Sequence, residues 1–203
     1  MISLRLLIAG IWMPKKRIIQ ELKRVYFQTN QALDVLLKEN GIENPVILCK
    51  NEELDKMTPE DLRKKMANDH NIKVKSLIVE LGQGKAIEQG RNELLKTGIK
   101  LGERARLELG VRDSISDFLK AAKILYKILG IDIEIKRLSR KKIIMFVNRC
   151  SLAYSYTDVT CQVLSAADEG MVQGLNSNFK MAFQERITSG AIKCRAEIKI
   201  IEN

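Results

Sequence analysis

One histidine, His70, stands in 203 residues, and that scarcity removes the usual general base and most nitrogen ligands of metal enzymes. The four cysteines, Cys49, Cys150, Cys161 and Cys194, form no CxxC pair and no zinc-finger spacing. No segment repeats and none is of low complexity. Gly82-Gln83-Gly84 has neither a preceding strand nor a following GxxG, so it is not a dinucleotide fingerprint. An export signal is missing as well. Residues 1–13 are apolar, but Arg5 interrupts them, the basic residues 15–17 come after rather than before, and no small-x-small cleavage site follows. The stretch is too short to span a bilayer and reads as a docked hydrophobic arm. The expectation is a cytoplasmic chain with reduced thiols and no membrane partner.

What is present is a globular composition, 45% hydrophobic and 30% charged. Thirty-five basic against 25 acidic residues give a formal charge of +10, which suits an anionic partner. The basic residues are nevertheless mixed with acids, and the two local clusters, at 14–17 and 139–142, carry no interleaved aromatics. A solvated basic surface therefore ranks ahead of a nucleic-acid site. The length fits one domain, 1–203, with a helical N-terminal portion over 1–70 and a ligand-binding core portion over 74–203.

Apolar residues recur at helical spacing from Pro14 to Gly41. Residues 45–49 are too short to assign. Thr58-Pro59-Glu60-Asp61 predicts a helix start, with an end near Asn68 and a polar break at 69–71 that leaves His70 solvated. A long helical pattern follows from about Val74 to Leu109, although Gly82, Gly84, Gly90, Gly98 and Gly102 interrupt its propensity at roughly 1 kcal/mol each. Close helix packing or a backbone opening to a ligand would offset that cost. Ser114 and Asp117 predict another helix, closed by Gly130.

The last third changes period. Residues 131–138 and 142–150 alternate as two strands around Ser139, Arg140 and Lys141, and a helix runs from Thr157 to about Gly170. Residues 178–187 and 191–200 read as a second hairpin, with Ile192, Cys194, Ala196, Ile198 and Ile200 sharing the inward face. The fold class is therefore α+β, an antiparallel sheet of about four strands covered on one face by helices from the N-terminal two thirds. A small-molecule pocket between the sheet and the helices is the natural ligand site.

Cys150 at a strand end, the run 160–168 leading from Cys161 to Asp168, and the run 176–198 carrying Thr188, Gly190 and Cys194 together resemble the C-terminal signature of the L-2-amino-thiazoline-4-carboxylic acid hydrolase family. That family often has a further cysteine shortly before the aspartate, where this chain has Ser165. More remotely the layout looks like the 4-vinyl reductase ligand-binding domains. The resemblance covers roughly the last 60 to 70 residues well and implies hydrolytic opening of a small cyclic amidine at the carbon between nitrogen and sulfur. On it, Asp168 is the candidate general base, and Cys161 and Cys194 are candidate catalytic thiols. Cys150, Cys161 and Cys194 are candidate ligands for a zinc ion. Arg186 and Arg149 could fork onto a substrate carboxylate, with Tyr154, and beside it Tyr156, lining the pocket.

Each of these residues also has a plainer reading. A free cysteine is among the most buried residue types, Cys194 is core by periodicity, and an aspartate at a helix end can serve a turn. Two function classes stay open: a hydrolase of the resembled kind, and a non-catalytic small-ligand or metal-binding sensor module. A homo-oligomer is compatible with either.

Overall fold

The computed structural model describes residues 4–11, 13–139 and 141–201, with only the backbone described for Leu4 and Ile11. Expectations that fall on residues 1–3, Trp12 and Arg140 lie outside the described residues. Helix α1 (Leu4–Ile11) seats the buried Leu6 on the later helix α6, the expected docked arm. Pro14, held extended, opens α2 (Lys15–Glu39), whose inner stripe includes Leu22, Tyr26, Leu33 and Leu37. Residues 45–49 are extended and lead into α3 (Asn51–Asp55).

Helix α4 (Pro59–Leu81) starts where Thr58 predicts, its hydroxyl accepting the Asp61 N–H at 3.1 Å. It does not end near Asn68. Residues 69–71 continue the helix because the polar side chains there are bonded on its buried face rather than solvated. The Tyr26 hydroxyl donates to Asp69 at 2.8 Å, and Lys65 reaches the same carboxylate at 2.6 Å. His70, 1% exposed, is buried rather than solvated and pairs with the Thr29 hydroxyl at 2.9 Å. Lys73, fully buried, meets Asp34 at 2.5 Å. A helical wheel scored by hydropathy alone cannot see such pairing.

The long pattern of 74–109 is cut at Gly82, whose φ of +78° ends α4 and turns the chain into α5 (Gln83–Leu109). Helix α6 (Ile115–Ile128) is capped by Ser114, whose Oγ accepts the Asp117 N–H at 3.1 Å. Replacing Ser114 by Ala removes that acceptor, and the expected loss is about 1 kcal/mol, read as a lower urea midpoint at unchanged slope.

Strands β1 (Ile131–Arg137), β2 (Lys142–Cys150), β3 (Phe179–Glu185) and β4 (Cys194–Ile200) form one antiparallel sheet in the order β1-β2-β4-β3. The α+β expectation holds: helices cover the face that carries Ile143, Met145, Val147, Ala196 and Ile198, all buried. Phe118 of α6 meets Phe179 of β3 edge-on, ring centroids 4.5 Å apart. The other face is charged and solvated, with Lys136 lying over Phe146 and Lys142 paired to Glu197 at 2.7 Å. One detail of the second hairpin differs. A 3-10 turn over Ile187–Ser189 and Gly190 at φ +93° delay β4 to Cys194, so Ile192 lies outside the strand and is 93% exposed.

The remaining helix, α7 (Asp158–Leu175), runs longer than expected and lies between α5 and the sheet. Buried residues therefore appear almost all round it. No helix among the described residues is long and apolar enough to cross a membrane.

Candidate functional site

The candidate site is built on α7. Thr157 caps the helix, its hydroxyl accepting the Thr160 N–H at 3.1 Å. Cys161, Ser165 and Asp168 follow at spacings of four and three, which puts them on one stripe. Cys194 at the start of β4 and Cys150 at the end of β2 approach that stripe from the sheet. Asp168 lies within electrostatic reach of Cys150, Cys161 and Cys194, and Cys161 within reach of Cys150 and Cys194. Two tyrosines belong to the same electrostatic group: Tyr156, which the sequence placed at the pocket, and Tyr126, which it did not. Tyr126 of α6 senses Asp168, Cys150 and Cys194, and Tyr156 senses Cys150, Cys161 and Asp168.

The electrostatics of Asp168 set it apart. Its neighbour Glu169 is neutralised by Arg91 at 2.6 Å and also accepts the Phe183 N–H at 3.4 Å. Asp168 has no hydrogen bond and no ion pair among the described residues. Burial, with a smaller push from the Glu169 charge, raises its pKa from 3.8 to about 7. Part of its surface is still accessible. The Tyr126 hydroxyl, within the field of Asp168, is buried with no hydrogen-bond partner among the described residues. An unsatisfied buried hydroxyl costs roughly 1–3 kcal/mol, and burial together with the Asp168 charge raises its pKa well above the usual 10.0.

Burial also pushes the Cys150 thiol up to about 12 and raises those of Cys161 and Cys194, against the lowering influence of Arg186 on the latter two. All three are protonated at neutral pH. A protonated thiol is a weak nucleophile and a poor metal ligand. Among the described residues no three His, Cys, Asp or Glu side chains are placed to hold one metal ion, so the expected zinc set is not assembled. All four cysteines are free.

Arg186, just beyond β3, donates through Nη2 to the Ser165 hydroxyl at 3.2 Å and lies over the Phe183 ring at 5.5 Å. Ser165 stands where the resembled family often has cysteine, and here it positions the guanidinium beside the thiols. Asp158 anchors the turn that carries Arg186, accepting from Gln162 at 2.8 Å, Thr188 at 3.4 Å and Ser189. Tyr156 is held from the helical layer: its hydroxyl meets His70 Nδ1 at 2.8 Å, and His70 Nε2 meets Thr29. Burial, then the Lys73 charge, lowers the His70 pKa to about 3, so the ring is neutral and acts as a fixed bridge.

Two predicted site residues are not brought here. Tyr154 is 83% exposed in the turn after β2. Arg149 is adjacent to Cys150 but alternation turns it away, into a polar cleft beside Arg63 and Lys127. An apolar hollow of about 380 Å³ between α1, α2, α5 and α6 contains none of Cys150, Cys161, Asp168 and Cys194; Met171 is its one lining residue from α7 among the described residues. Electrostatics and hollow space thus point to different places, and the group around Asp168 is preferred because that is where the unpaired polar atoms are.

No family model matches the chain, and no curated protein does either. Among solved structures the chain is similar to trafficking protein particle complex subunit 3 from Naegleria fowleri, covalently bound to palmitic acid. The TM-score is 0.55 at 12% identity, over 69% of this chain and 95% of that one. It is similar at lower scores to the phenol-responsive sensory domain of the transcription activator PoxR with phenol, TM-score 0.47, 15% identity, 76% of each chain. An H-NOX protein from S. oneidensis gives 0.44 at 14% identity, over 91% of this chain and 98% of that one. At such identities the likeness is one of fold.

Proposed function

We propose that the chain is a small-molecule-binding module whose ligand sits between α7 and the sheet, contacting Asp168 and Tyr126. The observation that carries this reading is the pair of unpartnered polar groups in a desolvated setting. A folded protein that leaves a carboxyl and a hydroxyl unbonded beside each other loses stability there. A ligand offering a donor to Asp168 and an acceptor to the Tyr126 hydroxyl recovers it. The three thiols supply a soft wall and Arg186 a cation at the Ser165 end. The same fold accommodates a small molecule elsewhere, since the trafficking-complex subunit carries palmitic acid.

A panel of small phenols, amides and amidines, including the aminothiazoline carboxylate, tests the reading. Binding is read from the methyl signals of Ala166, Ala167 and Met181 by titration. At least one member is expected to shift them in the wild type, and about tenfold or more weakly in Asp168→Asn. If no member moves them, or the variant responds equally, the site is not where we place it.

A second reading is favoured by one observation: a carboxyl with a pKa of about 7 is matched to general-base work near neutrality. In it Asp168 takes a proton from water as the oxygen attacks the ring carbon between nitrogen and sulfur, then gives that proton to the ring nitrogen as the C–N bond breaks, while Arg186 holds the substrate carboxylate. Catalytic conversion of the aminothiazoline to its ring-opened product, absent in Asp168→Asn, would favour hydrolysis; binding without turnover would favour the sensor module.

A further inference from the structure

Arg149 carries no part of the Asp168 site, yet it lines a cleft of about 550 Å³ between the end of α6 and the start of β1, with Arg63, Lys123, Lys127, Asp132 and Ser151. We propose that this cleft binds the phosphoryl end of a small phosphorylated ligand, a site independent of the one above.

Charge is the first argument. Four cationic side chains face one carboxylate, an excess of three positive charges. The side chains of Lys123, Lys127 and Arg149 make no ion pair or hydrogen bond among the described residues. One carboxylate would cancel a third of that excess, whereas a diphosphate matches it and can accept bonds from several donors together.

Preorganisation is the second. Helix α6 ends at the cleft, and the carbonyl end of a helix ordinarily repels an anion. Here those carbonyls are taken. Arg63 donates to the Ile128 carbonyl through Nη2 at 2.5 Å and Nε at 3.2 Å, and the Ser151 hydroxyl donates to the Gly130 carbonyl at 2.8 Å. Arg63 is thereby held in place against Gly130, where a Cβ would come within 3.0 Å of its guanidinium carbon. Its Nη1 donors make no bond among the described residues. A fixed guanidinium with spare donors loses little entropy on meeting phosphate.

Size and lining give the third. The volume is that of a small-molecule site. No aromatic side chain among the described residues lines it, so they offer no platform for stacked bases of a single strand.

Inorganic pyrophosphate is the probe, titrated calorimetrically into the full chain at physiological salt. One site per chain is expected, weakened about tenfold or more by Lys127→Glu and by Arg149→Glu. Both residues are exposed, so folding is retained. Lys85→Glu, an exposed change of the same net charge on α5, is expected to leave affinity unchanged, as is Asp168→Asn. Equal weakening by Lys85→Glu would show attraction by net charge alone and overturn the site. So would several weak sites per chain, or tighter binding of duplex DNA with the same sensitivity to Lys127→Glu.

Discussion

Asp168→Asn is expected to make the protein more stable at pH 8 while weakening its ligand binding. The carboxyl is raised from 3.8 to about 7 by burial, so the folded state takes up its proton more readily than the unfolded state. Stability therefore falls as pH rises from about 4 to about 7 and stays lowered above it. At 1.36 kcal/mol per pKa unit, and allowing for the surface Asp168 keeps, the penalty above pH 7 is about 2 to 4 kcal/mol. An uncharged isostere escapes it. His70 acts in the opposite sense. Its pKa of about 3 lies below the usual 6.5, so stability is present above pH 6.5 and is lost as pH falls from there toward 3. Between about pH 4 and 6.5 the two slopes oppose, and the wild-type profile should be nearly flat. The variant should show the His70 slope alone, rising with pH. Urea midpoints from pH 3 to pH 8 decide it: wild-type and variant curves that run parallel would mean that Asp168 is not desolvated in the folded protein.

A group whose removal stabilises the fold is better explained by function than by architecture. That is also why the sequence made part of this site visible and hid the rest. Cys161, Ser165 and Asp168 are spaced along one helix, and Cys150 and Cys194 end or begin strands whose alternation is plain, so their convergence could be read as a proposition. The strand pattern, the caps at Thr58 and Ser114, and the turns at Gly41 and Gly130 were legible for the same reason: each is decided by residues within a few positions. Tyr126 was not legible, because on α6 it merely continues an amphipathic stripe and only the tertiary fold aims it at Asp168. His70 was misjudged because its partners, Thr29 and Tyr156, lie 41 and 86 residues away. Arg149 is next to Cys150 in sequence, but neighbouring residues of a strand face opposite ways, and Tyr154 falls in the exposed turn after β2.

Of the two explanations the sequence offered for the glycines of α5, close helix packing holds for Gly90, Gly98 and Gly102, and Gly98→Ala is expected to break it. A Cβ at Gly98 would stand 2.1 Å from the Ala167 carbonyl oxygen, and one at Gly102 would stand 2.3 Å from that of Met171. The relation is mutual: a Cβ at Gly170 or Gly174 of α7 would stand 2.2 Å from the Leu95 or Ile99 carbonyl oxygen. Small residues four apart on both helices let the backbones touch, with Cα–H groups directed at carbonyl oxygens. The obstacle to a methyl group is backbone, which no rotamer change can move, so the helices must separate. Overpacking a core costs 1–3 kcal/mol where side chains can yield; here about 3 kcal/mol or more is expected, a fall in Tm of roughly 6–12 °C. Gly84→Ala is the control. Nothing lies within 4 Å of a Cβ there, so alanine propensity should stabilise by up to about 1 kcal/mol. Calorimetric melting of both variants separates the accounts, because glycines kept for backbone flexibility would make the two substitutions alike. The consequence reaches the site: α7 carries Asp168, Ser165 and Cys161, so a rise of α7 from α5 in Gly98→Ala would press it toward the sheet. Ligand affinity should fall with stability in that variant, whereas in Asp168→Asn the two should move apart.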